Sequence, residues 1–281
     1  MADARAYEIN KVSEAIRNNS DLPIVYNGDI PAIDASDYDG LRKRAGYRLA
    51  YQEISKQENI ESVVEQACIE LDGKELESNE DISPEWMNRF INIAGEISTE
   101  EMQHIWAKVL AGEVVKPNSF SLKTLECLKN MSTKDAQVFA YIANYVNSDD
   151  TIYANNEINN KYNISYADIL ELDDCGLINA NSSISMSHKT YKKKNPIVTF
   201  GQLCLFARSE LENTIKYPCY ILTRAGKELV TIARNKTMDE KYIIDVANSI
   251  KAKNSNVEFF VYRVIESNED CIRVNDQESL I

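Results

Sequence analysis

The chain of 281 residues is short of the groups most often recruited for chemistry. It has two histidines, His104 and His188, so a zinc site would have to lean on scattered Asp, Glu or Cys. Its six cysteines stand at 68, 127, 175, 204, 219 and 271 with no CxxC pair, a spacing that reads as reduced thiols rather than a disulfide frame or a zinc site. There is no GxxxxGK[ST] or GxGxxG loop to cradle a phosphate, no HExxH and no GxSxG elbow. Adjacent carboxylates such as Asp149 and Asp150, or Asp173 and Asp174, sit in turn-like or helix-end settings and read as solvating charges. Positive charge is scarce as well. With 31 Lys and Arg against 44 Asp and Glu the net charge is −13, so nucleic acid and anionic membranes repel the chain unless it concentrates a basic patch. No run approaches the roughly 18 apolar residues of a membrane span. The first twenty residues carry Arg5, Glu8, Lys11, Glu14 and Arg17, unlike a secretory core or an anchor. These absences set the expectation of a cytoplasmic protein with no catalytic residues, cofactor or metal and no membrane attachment.

What is present describes architecture. Hydrophobic residues make up 44% and charged residues 27%, enough for a real core in one large or two modest domains. Residues 3 to 18 carry a helical stripe of Tyr7, Ile9, Val12, Ala15 and Ile16. A connector with two prolines, two glycines and five aspartates follows, up to residue 40. Residues 41 to 72 read as helix in two stripes, Tyr47–Tyr51–Ile54 and Ile60–Val63–Val64–Ala67–Leu71. The polar string SKQEN between them predicts a break, with Asn59 as the new cap. Such stripes suit a hairpin of helices or an oligomerisation arm.

Four helix starts follow. Ser83 precedes Pro84 at a first helical position, Ser98 and Glu101 form a capping-box pattern, and Ser121 and Ser132 open two more helices. Met102, Ile105, Trp106, Val109 and Leu110 fall on one helical face, and each is worth on the order of 2 kcal/mol when buried. Gly112 is expected to end that helix in a left-handed conformation before Pro117. His104, Lys108 and Glu101 fall on the opposite, solvated face.

After residue 132 the pattern changes. A helix over 133–146, a short strand TIY at 151–153, a polar helix near 155–162 and the Ser165-capped helix SYADILELDDC run into Gly176. The strand strings SISMSHKTY, PIVTFGQLCLFAR and YPCYILT come next, then Thr223 capping RAGKELVTIA. A further helix, MDEKYIIDVANSIKA, and the strands VEFFVYRVIE and CIRV close the chain. This order suits a winged helix-turn-helix. The expected fold is mainly α: an N-terminal helical hairpin and helical bundle followed by a winged-helix-like α+β domain. The expected division is a helical arm with its acidic connector over 1–72, a bundle over 73–131 and the winged-helix-like domain over 132–281.

The strings YQEISKQENIESVVEQA, ISPEWMNRFINIAGEISTEEMQHIWAKVLAGEV, PNSFSLKTLECLKNMSTKDAQVFAYIA and YILTRAGKEL resemble the bacterial family catalogued as domain of unknown function 2806. The resemblance runs from about Tyr47 to Leu229. It is specific in W-x-x-x-F, M-Q-x-x-W-A-K-x-L-A-G-E and S-F-S-L-x-T-L. It brings no catalytic residue. A looser similarity to abortive-infection proteins implies a setting in phage defence.

The helix that would enter a DNA groove offers Asp168, Glu171, Asp173 and Asp174 and no cation, which argues against standard docking. The candidate interaction residues are the cluster Lys189, Tyr191, Lys192, Lys193 and Lys194, and the basic group Arg42, Lys43, Arg44 and Arg48. The expectation is a non-enzymatic adaptor or sensor that binds a protein partner or forms a homo-oligomer. The alternatives are a DNA-binding regulator using its lysine-rich wing and a toxin-like effector.

Overall fold

Helix starts are written locally, because a side-chain oxygen satisfies amides that the helix itself leaves open. In the computed structural model Ser83 accepts a bond from the Trp86 amide, and Pro84 opens its helix. Ser132 with Asp135, and Ser165 with Asp168, close complete capping boxes. Thr223 accepts from the Gly226 amide. The structure describes residues 38–181, 183–234, 239–267, 272–276 and 279–281. The helix expected over 3–18 and the connector up to residue 37 lie outside the described residues.

The first described element, α1 (Tyr38–Leu71), is one helix of 34 residues, about 51 Å long at 1.5 Å per residue. No break occurs at SKQEN. Asn59 does not cap a new helix; its amide donates to the Gly95 carbonyl at 2.9 Å and its oxygen accepts from Gln103 at 3.3 Å. Tertiary hydrogen bonds and the local pairs Lys56–Glu53 and Gln57–Glu61 carry the helix across its polar stretch. Val63 and Ala67 are buried against the body, whereas Leu41, Tyr47, Leu49 and Ile54 are exposed.

Four helices follow: α2 (Pro84–Ala94), α3 (Glu100–Val115), α4 (Leu122–Lys129) and α5 (Thr133–Ala143). The cap of α3 is Thr99, with no side-chain bond, rather than Ser98. Glu100 and Glu101 in the first turn still favour the positive end of the helix. Gly112 does not end α3. It lies within the helix because the Phe120 ring packs over it, and the turn comes after Val115. Glu113, buried, accepts from the amides of Asn118 and Phe120 and so fixes that turn. Trp86 stacks on Phe90 at 5.1 Å and donates to the Phe120 carbonyl at 2.7 Å; Trp106 is fully buried beside Phe90.

The remainder comprises β1 (Thr151–Tyr153), α6 (Asn156–Lys161), α7 (Tyr166–Asp174), β2 (Ile178–Asn179), β3 (Ser185–Thr190), β4 (Asn195–Phe200), β5 (Leu203–Arg208), β6 (Asn213–Leu222), α8 (Arg224–Ala233), α9 (Glu240–Ala252), β7 (Glu258–Ser267) and β8 (Ile272–Asn275). Strand β6 is the spine of the first sheet. Its first six residues pair with β3, and its end pairs with β1 and β2. The second sheet runs β4-β5-β7-β8. All these pairings are antiparallel. Among the described residues helices take 50% and strands 20%, so the fold is mixed α+β and not mainly α. The expected strand strings form, and the β4–β5 hairpin finds its partner in β7, some 50 residues further along the chain, with β8 pairing on the far side of β7. One core runs from Val63 on α1 through Trp106 and Leu172 to Val261 on β7. Among the described residues no helix is long and apolar enough to cross a membrane.

Candidate functional site

Helix α7 is placed by its two ends. The Ser165–Asp168 box starts it, and Gly176, at φ +75°, turns the chain into β2. Ile169 and Leu172 are buried, which leaves Tyr166 and Leu170 45% and 42% exposed on the other side, with Asp173 and Asp174 also exposed. The sequence suggests four carboxylates facing outward, but three are already engaged. Asp168 accepts from the Ser165 hydroxyl at 2.7 Å, Asp173 accepts from the Ala180 amide at 3.4 Å, and Glu171 pairs with Lys134 at 3.2 Å. That last bond, with the Glu171 charge, raises the Lys134 ammonium above its ordinary range. Beside the start of α7 lies an open groove of about 450 Å³ whose lining includes Glu157, Tyr166, Pro218 and Tyr220. The rings of Tyr166 and Tyr220 stand 6.4 Å apart. Burial pushes the Tyr220 hydroxyl above the usual phenol range, with Tyr166 adding to it.

The lysine cluster lies at the β3–β4 connection, where Lys192 takes a left-handed conformation (φ 56°). Its members diverge. Lys194 turns inward, 4.4 Å from the Phe260 centroid and 5.0 Å from that of Tyr262, and donates to the Tyr262 hydroxyl at 2.7 Å. It covers a small apolar cluster of Cys204, Phe206 and Tyr262 on the second sheet. Lys192 lies over the ring of Tyr191 at 4.8 Å, and Lys189 pairs with Glu212 at 3.6 Å. Lys193 is exposed. Strand alternation adds a cation that sequence reasoning missed: Lys216, opposite Ser187, shares the outer face of the β3–β6 ribbon with Lys189. The second basic group, Arg42, Lys43, Arg44 and Arg48, lies on the first turns of α1 and belongs to a different region, since α1 packs against α2 and α3.

The inner face of the same ribbon holds an unforeseen trio. Met186 is opposite Tyr217, so His188, two residues on, lies beside that ring; the two rings stack at 5.6 Å. Asp149, in the turn before β1, has one oxygen 3.3 Å from both His188 Nε2 and the Tyr217 hydroxyl. Burial, helped by Asp149, pushes the Tyr217 phenol far above its usual range, so it remains a donor to the carboxylate. The alternation of β3 and β6 could have found two members. Asp149 is 68 residues from Tyr217 and leaves no local signal.

Glu228 on α8 was also missed. It accepts from the Ser121 amide at 2.6 Å, from the Thr124 hydroxyl and from Arg224 at 2.8 Å. It thereby ties α8 to the start of α4. Burial pushes its carboxyl up, but these hydrogen bonds outweigh that and hold it below the ordinary range. No three His, Cys, Asp or Glu side chains converge on a metal-sized site among the described residues.

A family model described as a protein of unknown function (DUF2806) matches residues 43–247, and the chain belongs to that family. No curated protein and no solved structure matches the chain. Strings that carry the resemblance meet in one joint: Trp86, Gly112, Glu113, Phe120, Thr124 and Glu228 bond or pack through the α2–α3–α4–α8 contacts described above, while Gln103 on α3 bonds Asn59 on α1.

Proposed function

We propose that this DUF2806 protein is a non-enzymatic adaptor that docks a protein partner on the exposed face of α7, within a winged-helix-like unit. The order α5, β1, α6, α7, β2–β3 and β6 supports the winged-helix reading. So do the pairing of β1 and β2 with the end of β6 and the ribbon of β3 with its beginning. The β4–β5 hairpin is then an insertion at the wing tip, completed by β7 and β8. A helix that reads DNA needs cations toward phosphate, and α7 instead exposes Tyr166 and Leu170 beside two carboxylates. That face carries the proposal, because exposed aromatic and aliphatic groups ringed by charge suit a protein surface. A photocrosslinking residue placed at Leu170, with Lys251 as the control position, tests it in cells. The expected result is a discrete protein adduct at position 170 alone, lost when Tyr166 becomes Asp. An adduct removed by nuclease overturns the proposal.

A second reading rests on a separate observation. The first turns of α1 expose Leu41, Tyr47, Leu49 and Ile54, which suits self-association through helix pairing. Val63 and Ala67 belong to the core, so a truncation that tests this must stop before them. Light scattering on a chain beginning at Gln52 is expected to show a smaller assembly than the full chain. Equal masses rule the second reading out.

A further inference from the structure

We propose that the groove beside α7 is an anchor site for an arginine side chain of the partner. The inference rests on the protein-docking reading of α7 and specifies its chemistry. Three observations support a guanidinium. First, the groove of about 450 Å³ is large enough for one long side chain, with Tyr220 and Pro218 from β6 lining one side and Tyr166 from α7 another. Second, Tyr166 is 45% exposed and 6.4 Å from Tyr220, so it presents an aromatic face on which a planar cation stacks. Third, Glu157 in the first turn of α6 lines the same groove, is exposed, and offers a carboxylate for the forked donors of arginine.

The opposing effect is the pair of helix N-termini at this edge. Each carries about half a positive elementary charge. Against them stand the full charges of Glu157 in α6 and Asp168 in the α7 cap, which leave the edge negative by roughly one charge. The sign therefore selects a cation. The aromatic face and open shape favour the flat guanidinium over the compact, strongly hydrated ammonium of lysine. Leu170, one turn further along α7, would then meet an apolar neighbour of that arginine.

The probe is the capped tripeptide acetyl-Gly-Arg-Gly-amide, titrated into the full chain while tyrosine ring signals are followed by NMR. The matched peptides carry citrulline, lysine or glutamate in place of arginine. The arginine peptide is expected to shift Tyr166 and Tyr220 saturably, lysine to bind more weakly, and citrulline and glutamate not to bind. Tyr166→Ala should weaken the arginine peptide about fivefold, and Glu157→Gln about threefold. Both side chains are exposed, so neither change threatens folding. Citrulline binding as tightly as arginine, glutamate binding at all, or shifts confined to other tyrosines overturns the assignment. If the adduct at Leu170 forms but the arginine peptide leaves Tyr166 unmoved, the anchor fails and the docking face stands. If neither signal is seen, both fail.

Discussion

Gly112 and Phe120 occupy a single space: a Cβ on Gly112 would lie 2.7 Å from Phe120 Cε2 and 3.3 Å from its Cζ. Phe120 is 2% exposed and its carbonyl holds Trp86, so the ring has little room to withdraw. Gly112→Ala gains about 1 kcal/mol of helix propensity but forces this contact apart, at a cost of about 1–3 kcal/mol. A net loss of stability in urea denaturation is expected. Gly226 is tighter still, since a Cβ there would lie 2.1 Å from the Leu177 carbonyl oxygen, a backbone atom. Gly226→Ala should therefore destabilise more than Gly112→Ala, and the two midpoints compared in one series check the order.

The Glu228 joint predicts a pH dependence. Its carboxyl is held below the ordinary range in the folded chain by hydrogen bonds from Ser121, Thr124 and Arg224 that outweigh burial. A depressed carboxyl contributes stability that is fully present above the unfolded pKa of about 4.3 and is lost as pH falls through the folded one. Asp245, lowered first by the Lys161 bond, adds in the same direction. Stability should therefore decline below about pH 4.3. Glu228→Gln should flatten that decline while costing about 2 kcal/mol at neutral pH, where hydrogen bonds to a charged acceptor are lost. Urea midpoints measured across the acid range for both chains decide it; parallel curves would count against the joint.

The lysine cluster separates by role. Lys194→Ala removes a cation held over two rings and uncovers the apolar cluster beneath, so a loss of about 1 kcal/mol is expected. Lys193→Ala, at an exposed position, should change stability by less than about 0.5 kcal/mol. Thermal melts of the two variants test this, and equal melting points would mean that the Lys194 contacts contribute nothing.

Asn59 and Gln103 share a polar network that also includes Ser62 and the carbonyls of Gly95 and Ile97. Each alanine substitution should cost about 1–2 kcal/mol. The double variant should cost less than the sum, because the second change removes a partner already stranded. Strict additivity in a double-mutant cycle would show that the two side chains act independently.

Sequence and structure part company at identifiable residues. The caps at Ser83, Ser132, Ser165 and Thr223, the left-handed Gly176 and the buried face of α3 follow from the sequence, because a cap or a helical stripe involves residues three or four apart. Gly112 misleads for a related reason. A glycine after an apolar stripe looks like an exit, and only the ring of Phe120, eight residues later, shows that it is a place of close approach. The candidate docking face was half legible. Its acidity and the cap at Ser165 are in the sequence, but the pairing of Glu171 with Lys134 and the groove under Tyr166 are not.

Taken alone, the amino-acid order determined where most of the helices begin, which faces are apolar and that α7 itself carries no cation, since each depends on near neighbours along the chain. Only the tertiary structure decided what those faces meet. Thr124 and Glu228 are 104 residues apart, Lys194 and Tyr262 are 68 apart, and Asn59 and Gln103 are 44 apart. No local periodicity encodes such pairs, because they come together only when burial of the shared core brings distant segments into contact.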